Sequence, residues 1–92
     1  MGKSILQVER ESYLSHRTQN LHKHHIYFGN PGRKLSEKWG CWCWLTADEH
    51  EGNTGVHNNR KLDLYLKRVC QKAFEERYGH KKFMEVFGRN YL

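Results

Sequence analysis

Five of the chain's seven histidines fall into two groups: His22, His24 and His25, then His50 and His57. Neutral imidazole is the commonest metal ligand and the usual general base near neutral pH. On a strand, alternate side chains share a face, so His22 and His24 point one way and His25 the other. Adjacent His24 and His25 can then offer one ring to a cation and one to a water. That requires a local twist, or the end of the strand, to aim both at the same ion. The chemistry such a set supports is metal-assisted hydrolysis. The plain alternatives are a half-exposed polar strand for His24 and His25, an exposed helix residue for His50 and a loop residue for His57. His16 and His80 read as solvent histidines.

The elements that must hold these residues are legible from patterning. LHKHHIYF, residues 21–28, is dense in histidine, aromatic and β-branched side chains and suits a strand. GNPGRK, residues 29–34, reads as a loop with a basic tip, and 35–39 as one helical turn. CWCWL, residues 41–45, is a second strand, with Trp42 and Trp44 on one face and Cys41, Cys43 and Leu45 on the other. Of the three tryptophans, Trp39, Trp42 and Trp44, the expected place is the small core under the hairpin, with stacking on bases as the alternative. TADEHE, residues 46–51, starts a helix with Thr46 as N-cap and Glu49 three residues on. Leu62, Leu66, Val69, Cys70, Ala73 and Phe74 recur at helical spacing across about 59–78. Gly79 stops that helix, and Phe83, Met84 and Phe87 mark a last short one ending at Gly88. The residues ahead of 21 are polar and weakly patterned, with Ile5, Leu6 and Val8 as a short strand or core edge.

The expectation is one α+β domain over residues 1–92: an N-terminal segment (1–20), a hairpin-plus-helix motif carrying the histidines (21–58) and a helical part (59–92) with a long amphipathic helix and a short final one.

Sixteen Lys and Arg against ten Asp and Glu leave a net charge of +6, which points to a polyanionic partner, nucleic acid first. Arg33 and Lys34 on the loop are the chosen phosphate contacts. Arg60, Lys61, Lys67 and Arg68 read first as the solvated face of the long helix and second as a DNA face. No run approaches the roughly 20 apolar residues of a membrane span. Residues 1–10 lack the apolar core of a signal peptide, and Gly2 lacks the Ser or Thr of a myristoylation motif, Leu6 standing there. Gly2-Lys3-Ser4 lacks the upstream glycine of a phosphate-binding loop. Three cysteines, two of them one residue apart, make no disulfide framework and fit a cytoplasmic setting. Zinc on Cys41, Cys43, His50 and His57 would need a spacing unlike the usual finger.

LHKHHI, the Trp-bearing strand leading into LTADEH, and GVH together resemble the HNH (ββα-metal) endonucleases, and more narrowly small phage and prophage proteins of that type. The likeness covers about residues 20–92. It implies one divalent ion (Zn, Mg, Mn or Ni) held by His24, His50 and His57, with His25 as the general base that activates water. His22 would orient the site without binding the ion. The implied activity is hydrolysis of a phosphodiester, DNA ahead of RNA, in the host cytoplasm if phage-encoded, with oligomeric state left open. Two departures stand out. The motif's asparagine should fall near Gly40 or Cys41, where neither residue can replace it, so orientation of His25 passes to backbone carbonyls or to Asn58 and Asn59. His50 and His57 are seven residues apart with two glycines between them, so His57 must reach the site from a loop. The competing function is a non-catalytic, zinc-stabilised module that binds nucleic acid without cutting it. A third is a phage assembly component with incidental histidines.

Overall fold

A computed structural model describes residues 3–92. The readings made of Met1 and Gly2 fall outside it. The chain is α+β: two antiparallel strands, β1 (Leu21–His25) and β2 (Trp42–Thr46), with helices α1 (Gly32–Trp39), α2 (Ala47–Glu51), α3 (Arg60–Tyr78) and α4 (His80–Phe87). A 3₁₀ turn at Val56–Asn58 joins α2 to α3. No helix among the described residues is long and apolar enough to cross a membrane.

The strands pair with His22 opposite Leu45, His24 opposite Cys43 and His25 opposite Trp42. Directly paired residues share a face. One face of the hairpin therefore carries Cys43, Leu45, His22 and His24, and the other carries Trp42, Trp44, Lys23 and His25. Cys41, Cys43 and Leu45 are fully buried on the first face against Leu66, Cys70 and Phe74 of α3 and Phe83 of α4. Removing these apolar groups from water is the main force closing the sheet onto the helices. All three cysteines are free. Burial pushes the Cys43 thiol up to about 12, as expected for an apolar setting.

Several expectations change. The first strand ends at His25, because Ile26 and Tyr27 turn inward to the core. The loop-plus-turn expected at 29–39 is mostly helix: α1 starts at Gly32 and runs for eight residues, which moves Arg33 and Lys34 onto its first turn. Gly40 ends α1 in the left-handed region (φ 74°), and a Cβ there would run into the Lys3 carbonyl oxygen. Only Trp39 of the three tryptophans packs on the helical core, against Phe74 and Tyr78. Trp42 and Trp44 stack edge-to-face with each other on the opposite sheet face, with Lys23 over the first ring and Arg10 over the second. Lys67 is not on a solvated face. It is buried, 3.0 Å from the buried Asp63 carboxylate and with its ammonium 4.4 Å from the centre of the Phe28 ring.

The N-terminal segment forms no strand, yet it is tied to the hairpin. Ile5 N–H donates to the Gly40 carbonyl, Trp44 N–H donates to Gln7 Oε1 and Tyr13 N–H donates to the Trp44 carbonyl. Ile5 and Leu6 pack at the core edge, whereas Val8 is 98% exposed. The expected capping box is present on α2: Thr46 accepts from Glu49 N–H and Glu49 accepts from Thr46 N–H. Asn59 caps α3 by accepting from Leu62 N–H, and α3 covers the predicted span almost to the residue.

Candidate metal centre

Three histidines from three separate elements converge. His24 comes from β1, His50 from α2 and His57 from the 3₁₀ turn, and one ring nitrogen from each lies within 4.8 Å of the others. The ring centroids are 5.2 Å apart for His24 and His50, 5.4 Å for His24 and His57, and 4.7 Å for His50 and His57. The capping box fixes the start of the five-residue α2 and so sets where His50 points. His57 reaches the cluster because the chain reverses at Gly52–Gly55, where a Cβ on either glycine would meet the Asp48 carbonyl oxygen. The seven-residue gap between His50 and His57 is spanned by this turn and not by helical spacing.

His24 carries the clearest signal of a missing ligand. It is 1% exposed, and its Nε2 is buried without a hydrogen-bond partner. A buried polar nitrogen left unpaired costs about 1–3 kcal/mol, and a cation at this position removes that cost. Desolvation first, then His50 and His57, lower its pKa to about 3, which keeps the ring neutral and its lone pair available. His50 is shifted the same way, mainly by burial and then by His57. Metal binding needs neutral imidazole, which the lowered pKa of His24 and of His50 favours, and a donor set of three ring nitrogens fits a divalent cation such as Zn or Ni. No fourth His, Cys, Asp or Glu among the described residues completes this trio. Cys41 and Cys43 are buried in the core, and among the described residues neither joins His50 and His57 in a group of possible ligand atoms. Glu49 is engaged elsewhere, accepting from Ser12 Oγ at 2.5 Å and from Thr46 N–H.

His50 has a histidine neighbour at each of its ring nitrogens. Its Nε2 lies 3.0 Å from His57 Nε2 and its Nδ1 lies 3.2 Å from His22 Nδ1. His22 thus touches the ring of a trio member without joining the trio. His22, His50 and Glu51 form a second, more open group of possible ligand atoms.

The trio opens onto a cleft of about 240 Å³ lined by Lys23, His24, His25, Phe28, Arg33, His50 and His57. Because β1 stops at His25, side chains of both sheet faces border this one cleft. Arg33 lines it; Lys34 is exposed and does not. A larger groove of about 470 Å³, bounded by Arg17, Thr18, Asn20, Thr46 and Asp48 among others, contains none of the histidines.

The orientation of His25 differs from the sequence reading. Asn58 donates to the Gly52 carbonyl and Asn59 caps α3, so neither is available to it. His25 Nε2 instead lies 2.8 Å from Glu37 Oε1 on α1. Lys23 Nζ holds the same carboxylate at 3.3 Å. The hydrogen bond from His25, partly opposed by desolvation, lowers the Glu37 pKa. Sequence reasoning missed Glu37 because it read residues 35–39 as a single turn. An eight-residue helix packed against β1, and not a single turn, is what brings this side chain to His25. Phe28 and Lys23 were also unmarked; the signal for both was their adjacency to the histidine pair.

Compared with family models, curated proteins and solved structures, the chain matches none of them.

Proposed function

We propose that this chain is a single-metal phosphodiester hydrolase acting on DNA, of the HNH (ββα-metal) kind. The observation that carries the reading is the convergence of His24, His50 and His57, with the His24 Nε2 buried and unpaired, beside a further histidine that shares their cleft. A divalent ion bound there supplies Lewis-acid stabilisation to the scissile phosphate and its leaving oxygen. His24, His50 and His57 would hold it through one ring nitrogen each. His25 stands outside the trio, so its ring is left to take a proton from the attacking water. Arg33 borders the cleft and neutralises phosphate charge, while the Lys23 ammonium is held by Glu37. His22 steadies the His50 ring from behind, the outer contact that ligating histidines ordinarily have.

A donor set of three side chains leaves a coordination position for water or phosphate, whereas a structural zinc is closed by four. That favours hydrolysis over a zinc-stabilised binding module. The test is nicking of supercoiled plasmid by metal-stripped protein, with Mg, Mn, Ni and Zn added back separately and His25→Ala in parallel. Metal-dependent nicking that disappears in His25→Ala is the expected result. Tight zinc binding with plasmid retention and no cutting under any metal would establish the binding module instead.

A further inference from the structure

A histidine that acts as a base needs a partner that fixes its ring and tautomer, and Asn58 and Asn59 are engaged elsewhere. We infer that Glu37, an α1 carboxylate, takes over that task by accepting a hydrogen bond from Nε2–H of His25, which leaves Nδ1 as the base. The inference rests on the hydrolase reading above for its consequence in catalysis, but the contact itself is independent of it.

The geometry is specific. Glu37 Oε1 and His25 Nε2 are 2.8 Å apart, within the range of a charge-assisted hydrogen bond. The His25 side chain is only 13% exposed, so its ring has little room to turn. Lys23, two residues earlier on the same face of β1, contacts both carboxylate oxygens at 3.3 and 3.4 Å. Lys23 is fixed in turn by the Trp42 ring, 4.2 Å from its ammonium. A carboxylate has no proton to give, so the shared proton sits on Nε2. A neutral imidazole carries one proton, and Nδ1 is therefore bare.

The O–H bond of the attacking water breaks and its proton goes to Nδ1 of His25. The oxygen forms the new P–O bond, and the leaving oxygen departs with the old bonding pair and is protonated from solvent. His25 becomes imidazolium with its Nε2 proton still directed at Glu37, and the negative carboxylate stabilises the positive ring. The Asp partner of a serine-protease histidine acts in this way. Glu37 touches neither water nor phosphate and is a positioning residue.

The experiment compares wild type, Glu37→Gln and Glu37→Ala by two readouts. The first is the ¹⁵N spectrum of the histidine rings in the full chain. Wild type is expected to show His25 as a single tautomer protonated at Nε2. In Glu37→Ala the two ring nitrogens should move towards averaged shifts, while the His24 and His57 signals stay in place. The second is plasmid nicking with the activating metal. Glu37→Ala should lower kcat on the order of 10- to 100-fold with little change in KM. Glu37→Gln keeps an oxygen acceptor and should recover part of that loss. A His25 ring protonated at Nδ1 in wild type, or an Ala variant with unchanged ring shifts and unchanged kcat, overturns the proposal and leaves the hydrolase standing. A wild type that shows the expected tautomer but cuts nothing supports the Glu37 contact and removes the hydrolase reading.

Discussion

His50 and His57 face each other through their Nε2 atoms at 3.0 Å. Two imidazole nitrogens at that separation need a proton between them or a common cation. His24 has a buried Nε2 with no hydrogen-bond partner, and a proton between the first two cannot satisfy it. One cation satisfies all three.

Removal of metal should destabilise the fold. A ligand present at about 100 times its Kd stabilises a native state by about 2.7 kcal/mol. For a domain of this size that is roughly 10–20 °C in Tm. Calorimetry of chelator-treated protein with and without zinc should show the rise, and His50→Ala should abolish it. An unchanged Tm at saturating zinc, manganese and nickel would exclude the trio as a metal centre.

Stability of the metal-stripped protein should fall as pH drops from about 6.5. His24 has its pKa lowered from 6.5 to about 3 in the folded chain. Between those values the unfolded chain holds a proton that the folded chain does not. Stability therefore rises with pH across this window, by up to about 1.4 kcal/mol per pH unit for one group. The lowered pKa of His50 adds to the same slope. The lowered carboxyls Glu37, Glu49 and Glu75 act only below their ordinary value near 4.5, where their contribution is lost. Urea unfolding at pH 7.5 and pH 5.5 separates the two effects, and equal midpoints would contradict the burial of a neutral His24.

Thr46→Ala removes the N-cap of α2. Loss of such a cap costs about 0.5–2 kcal/mol. Since α2 is only five residues long and carries His50, the same change should loosen the trio and weaken metal affinity measurably. Urea unfolding and a competitive zinc titration give both numbers. A large stability loss with intact affinity would mean that His50 is placed by other contacts.

Arg33 and Lys34 should behave differently although they are neighbours. Arg33 lines the cleft and Lys34 does not. Arg33→Ala is expected to weaken DNA binding and flatten its salt dependence by about one counterion, while Lys34→Ala leaves both nearly unchanged. Binding measured at several salt concentrations decides this. Equal effects would place the nucleic acid along the outside of α1, away from the histidine cleft.

Much of this protein was settled by local chemistry. The α2 capping box, the α3 span, the glycine stops and the alternation of the two strands follow from rules that act over a few residues. They survive in the structure because the apolar pattern of each element agrees with its local preference. The candidate trio was also legible, though through the likeness to HNH motifs and not from residue type alone, which showed only two groups of histidines. Tertiary structure alone decided what depends on segments far apart in sequence. It brought His57 back to His50 by a glycine turn, buried Lys67 on Asp63 against the expectation of a solvated face, and moved Trp42 and Trp44 off the helical core. Above all it set Glu37 against His25. That contact depends on where α1 crosses the end of β1, and no periodicity along the chain records the crossing of two elements joined by a turn.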